Sequence, residues 1–576
     1  MAKSENDEGF ERFEQFLTEW SRRDFLRRMG MTTAFTAFMA GGMEWLEACG
    51  GGNGGTPTTS QGKPGGHIVE GQISDISNLN PIFLNDTVSQ IVSGRAYEGL
   101  IDYDAKANRI PALATELPTV DSDNITYHAK MRKDAKWSDG QPITADDVVF
   151  TFDLMTKDQY KDVKSRYRSE LTDNLASVTA TDPYTLVFKT KDVFAKFYDT
   201  YIGLGILPKH IWSKLDPATI NSTPLNQVPE VVSGSFIPVK WDKGSQYVMK
   251  RNDTYFRGKA YLDQFILKVV SDAVAIATQL KTGEIDVGLY DASQHDSLAS
   301  AQNIDRVAYS RPAFDYLIPN EDPAKTPKAA IFTDPDVRKA LLTAINRKQA
   351  ADKVYFGQAD PADSCTSTAK WNHITTKAQY PFDAAKAASM LDAAGWKKGS
   401  DGIRAKNGVP MAWELRTNVG NKVRETFIQV IADAWNQLGC KVTTNPIQFP
   451  QLVTQLSQSR DFEMILLGIS EGLDPDMTQL YASTSIGNGA LNGAGYKNPK
   501  VDDLLSQGLK FVDRAKRKEI YAQLQELLMS ELPYLWLTFP RATWGVSKRV
   551  KNFNVGAWNT YGSRPWFYET YVTDGK

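Results

Sequence analysis

Between residues 383 and 447 the chain spells one unit twice: an amphipathic helix, a glycine that stops it, and a strand. Asp383 to Ala394 carries Met390, Leu391 and Ala394 on one face and ends at Gly395, and a strand follows over Met411 to Thr417. Glu425 to Leu438 then aligns Phe427, Ile431, Trp435 and Leu438 at 4-4-3 spacing; Gly439 ends it, and Cys440 to Thr443 is the next strand. Glycine stops a helix because it enters the left-handed region without a Cβ penalty. Helix, stop and strand in repeated order require helices lying on a sheet, an α/β lobe. Lobes of this kind hold ligands on the loops that leave the carboxyl ends of their strands.

One such lobe cannot account for 576 residues, so two or more are expected. Strand-like alternation recurs at Ile125 to Met131, Tyr184 to Phe188 and Phe265 to Val269. Thr144 with Asp147 forms a capping-box pattern ahead of Val148, Phe152 and Met155. Asp334-Pro335 is an N-cap followed by an N1 proline, opening a helix with Val337, Leu341 and Ile345 on one face. Lysine plus arginine number 66 against 68 acidic residues, a net charge of −2 that lacks the footprint of a general nucleic-acid binder.

The N-terminus reads as an address. Ser21-Arg22-Arg23-Asp24-Phe25-Leu26-Arg27 is a twin-arginine pattern before an uncharged, weakly apolar stretch from Met29 to Met43. That stretch is too short to cross about 30 Å of hydrocarbon, and the arrangement resembles a Tat export signal, led by Arg22 and Arg23, over residues 1–48. Leu46-Glu47-Ala48-Cys49 has the form of a lipobox, with Glu47 an unusual occupant; Cys49 would carry the lipid. The alternative is an amphipathic helix with an incidental cysteine. Residues 49–66 would form the lipid-anchored tether, its Gly-rich part, residues 50–66, a coil spanning about 20–25 Å.

Candidate chemistry is sparse. Gly468-Ile469-Ser470-Glu471-Gly472 fits G-x-S-x-G and follows the apolar run Phe462 to Leu467, as a nucleophile elbow would. That fold places its histidine after the serine, whereas the last histidine here is His373. The five histidines show no metal-ligand spacing, and no metal or cofactor is expected. Cys365 and Cys440 either pair outside the cytoplasm or stand as two buried thiols. Asp146 and Asp147 fall in the first turn of a helix, where its dipole accounts for them.

Several ordered blocks resemble the bacterial family-5 extracellular solute-binding proteins, the dipeptide- and oligopeptide-binding group of ABC importers. They are Ile110-Pro-Ala-Leu-Ala-Thr115 with Ile125 to Arg132, the stretch Ala135-Lys-Trp-Ser-Asp-Gly-Gln-Pro-Ile-Thr-Ala-Asp-Asp-Val-Val-Phe150, and Leu207-Pro-Lys-His210. Arg251 to Tyr255, Leu280 to Asp286, Asp336 to Leu341 with Ile345-Asn-Arg347, and Ala394-Gly395 near Asp401-Gly402 follow in order. Val232 to Phe236 departs from the group's usual Gly-rich turn. The resemblance runs from about residue 66 to the C-terminus.

The resemblance implies an α/β, two-lobed periplasmic-binding-protein-like clam with an additional domain, of class II, in the cluster of large peptide binders. Residues 67–98, 232–310 and 541–576 would form lobe I, 99–231 the additional domain, and 311–540 lobe II. Such proteins do no chemistry; a monomer closes over its ligand and delivers it to a membrane permease driven by a separate ATPase. By position, Glu471 would take a peptide's α-ammonium, where the group usually has Asp. Thr417, Asn418, Gly420 and Asn421 lie on a loop after a lobe strand and are further ligand candidates, as are the aromatics Trp413, Tyr316 and Trp371. A peptide is the leading ligand, with an oligosaccharide or other amine-bearing solute as alternative; a secreted serine hydrolase using Ser470 is the alternative of a different class.

The anchor is directly testable. Cys49→Ser should move the exported protein from the membrane fraction to the soluble fraction, since the Gly-rich leash offers no other grip. A serine variant still membrane-bound in high salt would contradict the lipidation of Cys49.

Overall fold

The strand Leu535–Ser547 serves two hydrophobic cores in succession. In the computed structural model, which describes residues 64–104, 106–487, 489–557 and 566–576, it lies in the middle of a 12-stranded sheet. Arg22, Arg23, Cys49 and the tether up to residue 63 lie outside the described residues. The first half of the strand pairs antiparallel with Ala313–Pro319 and sends Leu535, Trp536, Leu537 and Phe539 into one core. The second half pairs with Val287–Leu289 and Ile304–Ser310 and sends Ala542, Trp544 and Val546 into another. Pro540 and the exposed Arg541 mark the change.

On the first side the order runs Leu535–Ser547, Ala313–Pro319, Met464–Ser470, Ala412–Asn418, Lys441–Ile447, the last three mutually parallel. The helices expected from the repeated unit cover it. Ala384–Ala393 is capped by Asp383, and Lys422–Leu438 ends at Gly439 with φ +98°. The second helix begins three residues earlier than the apolar period predicts, because the Asn421 side chain accepts from the Arg424 N–H and so caps an extra turn. On the other side His67–Gln72 lies parallel to both Gln264–Val269 and Val287–Leu289, and Gln246–Arg251 and Phe236–Asp242 complete the edge.

Residues 119–190 add a four-stranded antiparallel sheet, Thr119–Val120, Thr126–Lys130, Thr185–Thr190 and Leu175–Asp182 in spatial order. The helix Ala145–Thr156 covers it, with Phe152 edge-on to Phe188 at 5.5 Å. Tyr127, Phe188 and Phe197 of this region belong to the same continuous core as Ile68, Phe236 and Phe265.

The family-like blocks have structural reasons. The capping box of Thr144 and Asp147 forms. The Asp147 carboxylate also accepts from the Lys209 N–H at 2.9 Å and from Trp137 Nε1 at 3.4 Å, while His210 meets Asp139 at 2.7 Å. Residues 137–150 and 207–210 are thereby clamped together, and burial pushes the Asp147 carboxyl above its usual range. Arg347, buried, donates to the carbonyls of Ala362, Trp536 and Tyr380 at 2.6, 3.3 and 2.8 Å. Among the described residues no helix is long and apolar enough to cross a membrane.

A buried charge cluster ties the 514–531 helix to the second core. Asp199, its side chain fully buried, accepts from Arg109 at 2.6 and 2.9 Å, from Arg514 at 3.0 Å and from the Tyr103 hydroxyl at 3.0 Å. Burial works to raise its pKa, but the Arg109 and Arg514 guanidinium groups outweigh that and hold it below the usual range. Asp199→Asn would leave two guanidinium groups facing a neutral amide, at a cost of about 3–5 kcal/mol read by thermal or denaturant unfolding. Because the folded carboxyl titrates lower than the unfolded one, its stabilisation is complete above about pH 4 and is lost on further acidification. The gap between wild type and variant should therefore be constant above that pH and shrink below it. An unchanged melt at neutral pH would contradict the assignment.

Candidate functional site

Strand Met464–Ser470 is buried through Leu467 and emerges at Ser470. Ala412–Asn418 runs parallel beside it, so the loops leaving both carboxyl ends open on one edge. Gly468 is required there. A Cβ on it would collide with the Asp315 carboxylate and the Arg424 guanidinium, which pair at 3.2 Å across its Cα. Tyr355 donates to the other Asp315 oxygen at 2.8 Å, and Arg424 Nη1 donates to Asn418 Oδ1 at 3.0 Å.

This network places the residues expected around 413–421. Asn418 is held by Arg424, and Asn421 is a helix cap. Gly420 has φ +88° and donates its N–H to Glu425 Oε1 at 2.6 Å. Thr417 is fully buried and donates to the Leu466 carbonyl. Trp413 meets Phe332 edge-to-face and Trp435 at a tilt in the core, and Tyr316 packs against Phe314 and Tyr534. The aromatic expectation is corrected here: at 3% and 2% exposure, Trp413 and Tyr316 are core residues, not cleft walls. Period two would have revealed Trp413, since it shares its strand face with the buried Leu415 and Thr417.

The loop after Ser470 is the richest polar feature. Glu471 donates its N–H to the Pro312 carbonyl at 2.7 Å. Its carboxylate accepts from the Thr366 hydroxyl and, at 2.8 Å, from the Ser367 N–H, and the Ser367 hydroxyl in turn donates to the Arg311 carbonyl. Lys370 drives its ammonium under the loop, donating to the carbonyls of Gly472, Leu473 and Asp474. Trp371 Nε1 donates to the same Leu473 carbonyl at 3.1 Å. Asp474 is held by both terminal nitrogens of the buried Arg517, at 2.7 and 2.8 Å. A cavity of about 140 Å³ adjoins the loop, bounded by Phe314, Lys370, Glu471, Pro475, Met477 and Leu480 among others.

Burial raises the Glu471 carboxyl, with the Lys370 charge and the two donors pulling the other way. Burial likewise lowers the Lys370 ammonium to about 8, opposed first by Glu471 and then by Asp474. The second core contributes as well: Asp199 adds to the field that favours the Lys370 cation, and Arg514, bound to Asp199, lies 5.1 Å from the Trp371 ring centroid. Thr366, Ser367 and Lys370 are functional candidates that the sequence reading missed. They lie in an aperiodic run about a hundred positions from Glu471, with no motif to link them.

Ser470 itself is exposed at the strand end, and the segment that follows is a loop rather than the helix of a nucleophile elbow. His128, His210, His295 and His373 are engaged by Asp121, Asp139, Tyr290 and Asp363 respectively. Among the described residues no group of three potential metal ligands gathers. Cys365 and Cys440 are separate buried thiols, which decides between the alternatives the sequence left open.

Residues 108–490 match the family described as bacterial extracellular solute-binding proteins, family 5, in its middle region. The oligopeptide-binding protein AppA of Bacillus subtilis (strain 168) is 30% identical over 518 residues, covering 88% of this chain and 93% of the relative. The solved structure of that species' AppA in complex with a nonapeptide aligns with a TM-score of 0.69 at 28% identity, over 89% of this chain and all of the other. The ABC transporter substrate-binding protein CtaP of Listeria monocytogenes shares the fold, with a TM-score of 0.76 at 23% identity over 89% of this chain and 100% of its own. The buried blocks, the mixed sheet and the loops at its strand ends are thus those of a known architecture, and the chain belongs to the family-5 bacterial extracellular solute-binding proteins.

Proposed function

We propose that this protein is the ligand-capturing receptor of an ABC importer and that its ligand is a peptide. The single observation that carries the ligand class is the 30% identity, across nearly the whole chain, to a protein named for oligopeptide binding whose counterpart structure holds a nonapeptide. In this reading residues 311–540 act as one lobe and 67–98, 232–310 and 541–576 as the other, with 99–231 as the additional domain. Two side-by-side crossings between the cores, at Arg311–Pro312 and Pro540–Arg541, serve as the hinge. The Ser470–Asp476 loop, with Glu471, faces the ligand, and Asn418, Gly420 and Asn421 form a rim beside it.

The family's extracellular character supports export, for which Arg22 and Arg23 supply the signal and Cys49 the anchor. The partners are then a permease and its ATPase, with the receptor acting as a monomer and without chemistry of its own.

The test is capture. Protein purified from its exported form should retain peptides detectable by native mass spectrometry. A peptide added at about a hundredfold excess over its Kd should stabilise the fold by about 2.7 kcal/mol in thermal unfolding. Retention of oligosaccharide alone, with no stabilisation by peptides, would overturn the ligand class. Ser470→Ala should remove no enzymatic turnover, and stoichiometric labelling of Ser470 by a serine-directed phosphonate would overturn the receptor reading itself.

A further inference from the structure

The loop acid at 471 is already satisfied from within. One of its oxygens takes the Thr366 hydroxyl and the other the Ser367 N–H, and Lys370 is its leading charge partner. The neighbouring acid is neutralised separately, since Asp474 belongs to Arg517. Lys370 is no incidental surface lysine either: it is 4% exposed and donates to three successive carbonyls of the loop that carries Glu471. The acid and its cation are therefore fixed together by the backbone. A ligand ammonium entering here would put two cations against one carboxylate where little water remains to screen them.

We propose that Lys370 is a built-in counter-cation for Glu471, so that the part of the ligand lodged against the Ser470–Asp476 loop is uncharged, a blocked terminus rather than a free α-ammonium. This makes Lys370 a residue that sets specificity, and it rests on the peptide reading above. An uncharged group suits the loop in another respect. Asp476 Oδ1 is occupied by the N–H and hydroxyl of Thr478 at 2.9 and 2.6 Å, so this acid too is bound within its own turn.

The experiment offers the wild-type protein an equimolar pool of nine-residue peptides, each in a free and an N-acetylated form, and reads the bound ratio by native mass spectrometry. The acetylated form should be enriched at least about tenfold, the scale of one unfavourable charge contact. Lys370→Gln keeps an amide donor for the carbonyls but removes the charge and should reverse the ratio towards free peptides. Glu471→Gln leaves every Lys370 contact in place and should enlarge the acetylated preference. Thermal melts of both variants establish that they fold, and if Lys370→Gln does not, Glu471→Gln carries the comparison. Enrichment of free peptides by wild type would overturn this inference while leaving the receptor reading intact. So would a ratio left unmoved by both substitutions. Binding of neither form would instead remove the peptide reading, and this inference with it.

Discussion

Two backbone crossings hydrogen-bonded side by side are the constraint on which the rest of the molecule depends. The chain leaves one half of the sheet at Ser310 and enters the other half at Ala313; the strand Leu535–Ser547 makes the reverse passage at Pro540–Arg541. The Arg311 N–H bonds the Pro540 carbonyl at 3.1 Å, which keeps the crossings together. Each crossing also carries a proline, and the long strand changes partner there, from Ala359–Pro361 up to Pro540 to Ile304–Ser310 from Arg541 onward. Separate cores lie on either side, joined by the two crossings and by the buried contact of Arg514 with Asp199. The Ser470–Asp476 loop is tied to those crossings, because Glu471 bonds the Pro312 carbonyl and Ser367 the Arg311 carbonyl. Anything that moves the loop moves the crossings.

Charge is handled around this junction by pairing rather than by exposure. Asp199 with Arg109 and Arg514, and Asp474 with Arg517, are substantially buried ion pairs, and the buried Lys370 lies under the loop that carries Glu471. Removing such charges from water is costly, and the ion pair recovers that cost only where geometry is good and the remaining donors are used. Here they are: Arg517 spends its third nitrogen on the Gly508 carbonyl, and Arg514 spends one on Ala107. The pairs contribute shape more than net stability. They fix a loop whose backbone curls around one ammonium, and they hold it opposite the residues near Asp199.

Much of this was legible in the sequence where local physics decides. The Thr144–Asp147 capping box, the Asp334-Pro335 helix start and the Gly439 stop all form, because caps and stops are settled within a few residues. The α/β order of 383–447 survives for the same reason. Polar loop residues were harder to read. The Asn421 side chain caps a helix as well as standing on its loop, and Trp413 looks like a cleft aromatic until strand alternation turns it inward. Glu471 was singled out only by the family resemblance, and nothing in the sequence pointed to Thr366, Ser367 or Lys370 beside it. Their meeting depends on the sheet bringing Ala359–Pro361 and Met464–Ser470 to the same edge, a long-range fact without a local signature.

A crystal structure of the protein with the ligand it retains would test the central claim most directly. The account predicts electron density for a peptide between the two cores, its chain passing the Ser470–Asp476 loop with an uncharged group nearest Glu471. Lys370 should still bond the carbonyls of Gly472, Leu473 and Asp474. A ligand ammonium bonded to Glu471 with Lys370 displaced, or a ligand seated away from this loop, would contradict it.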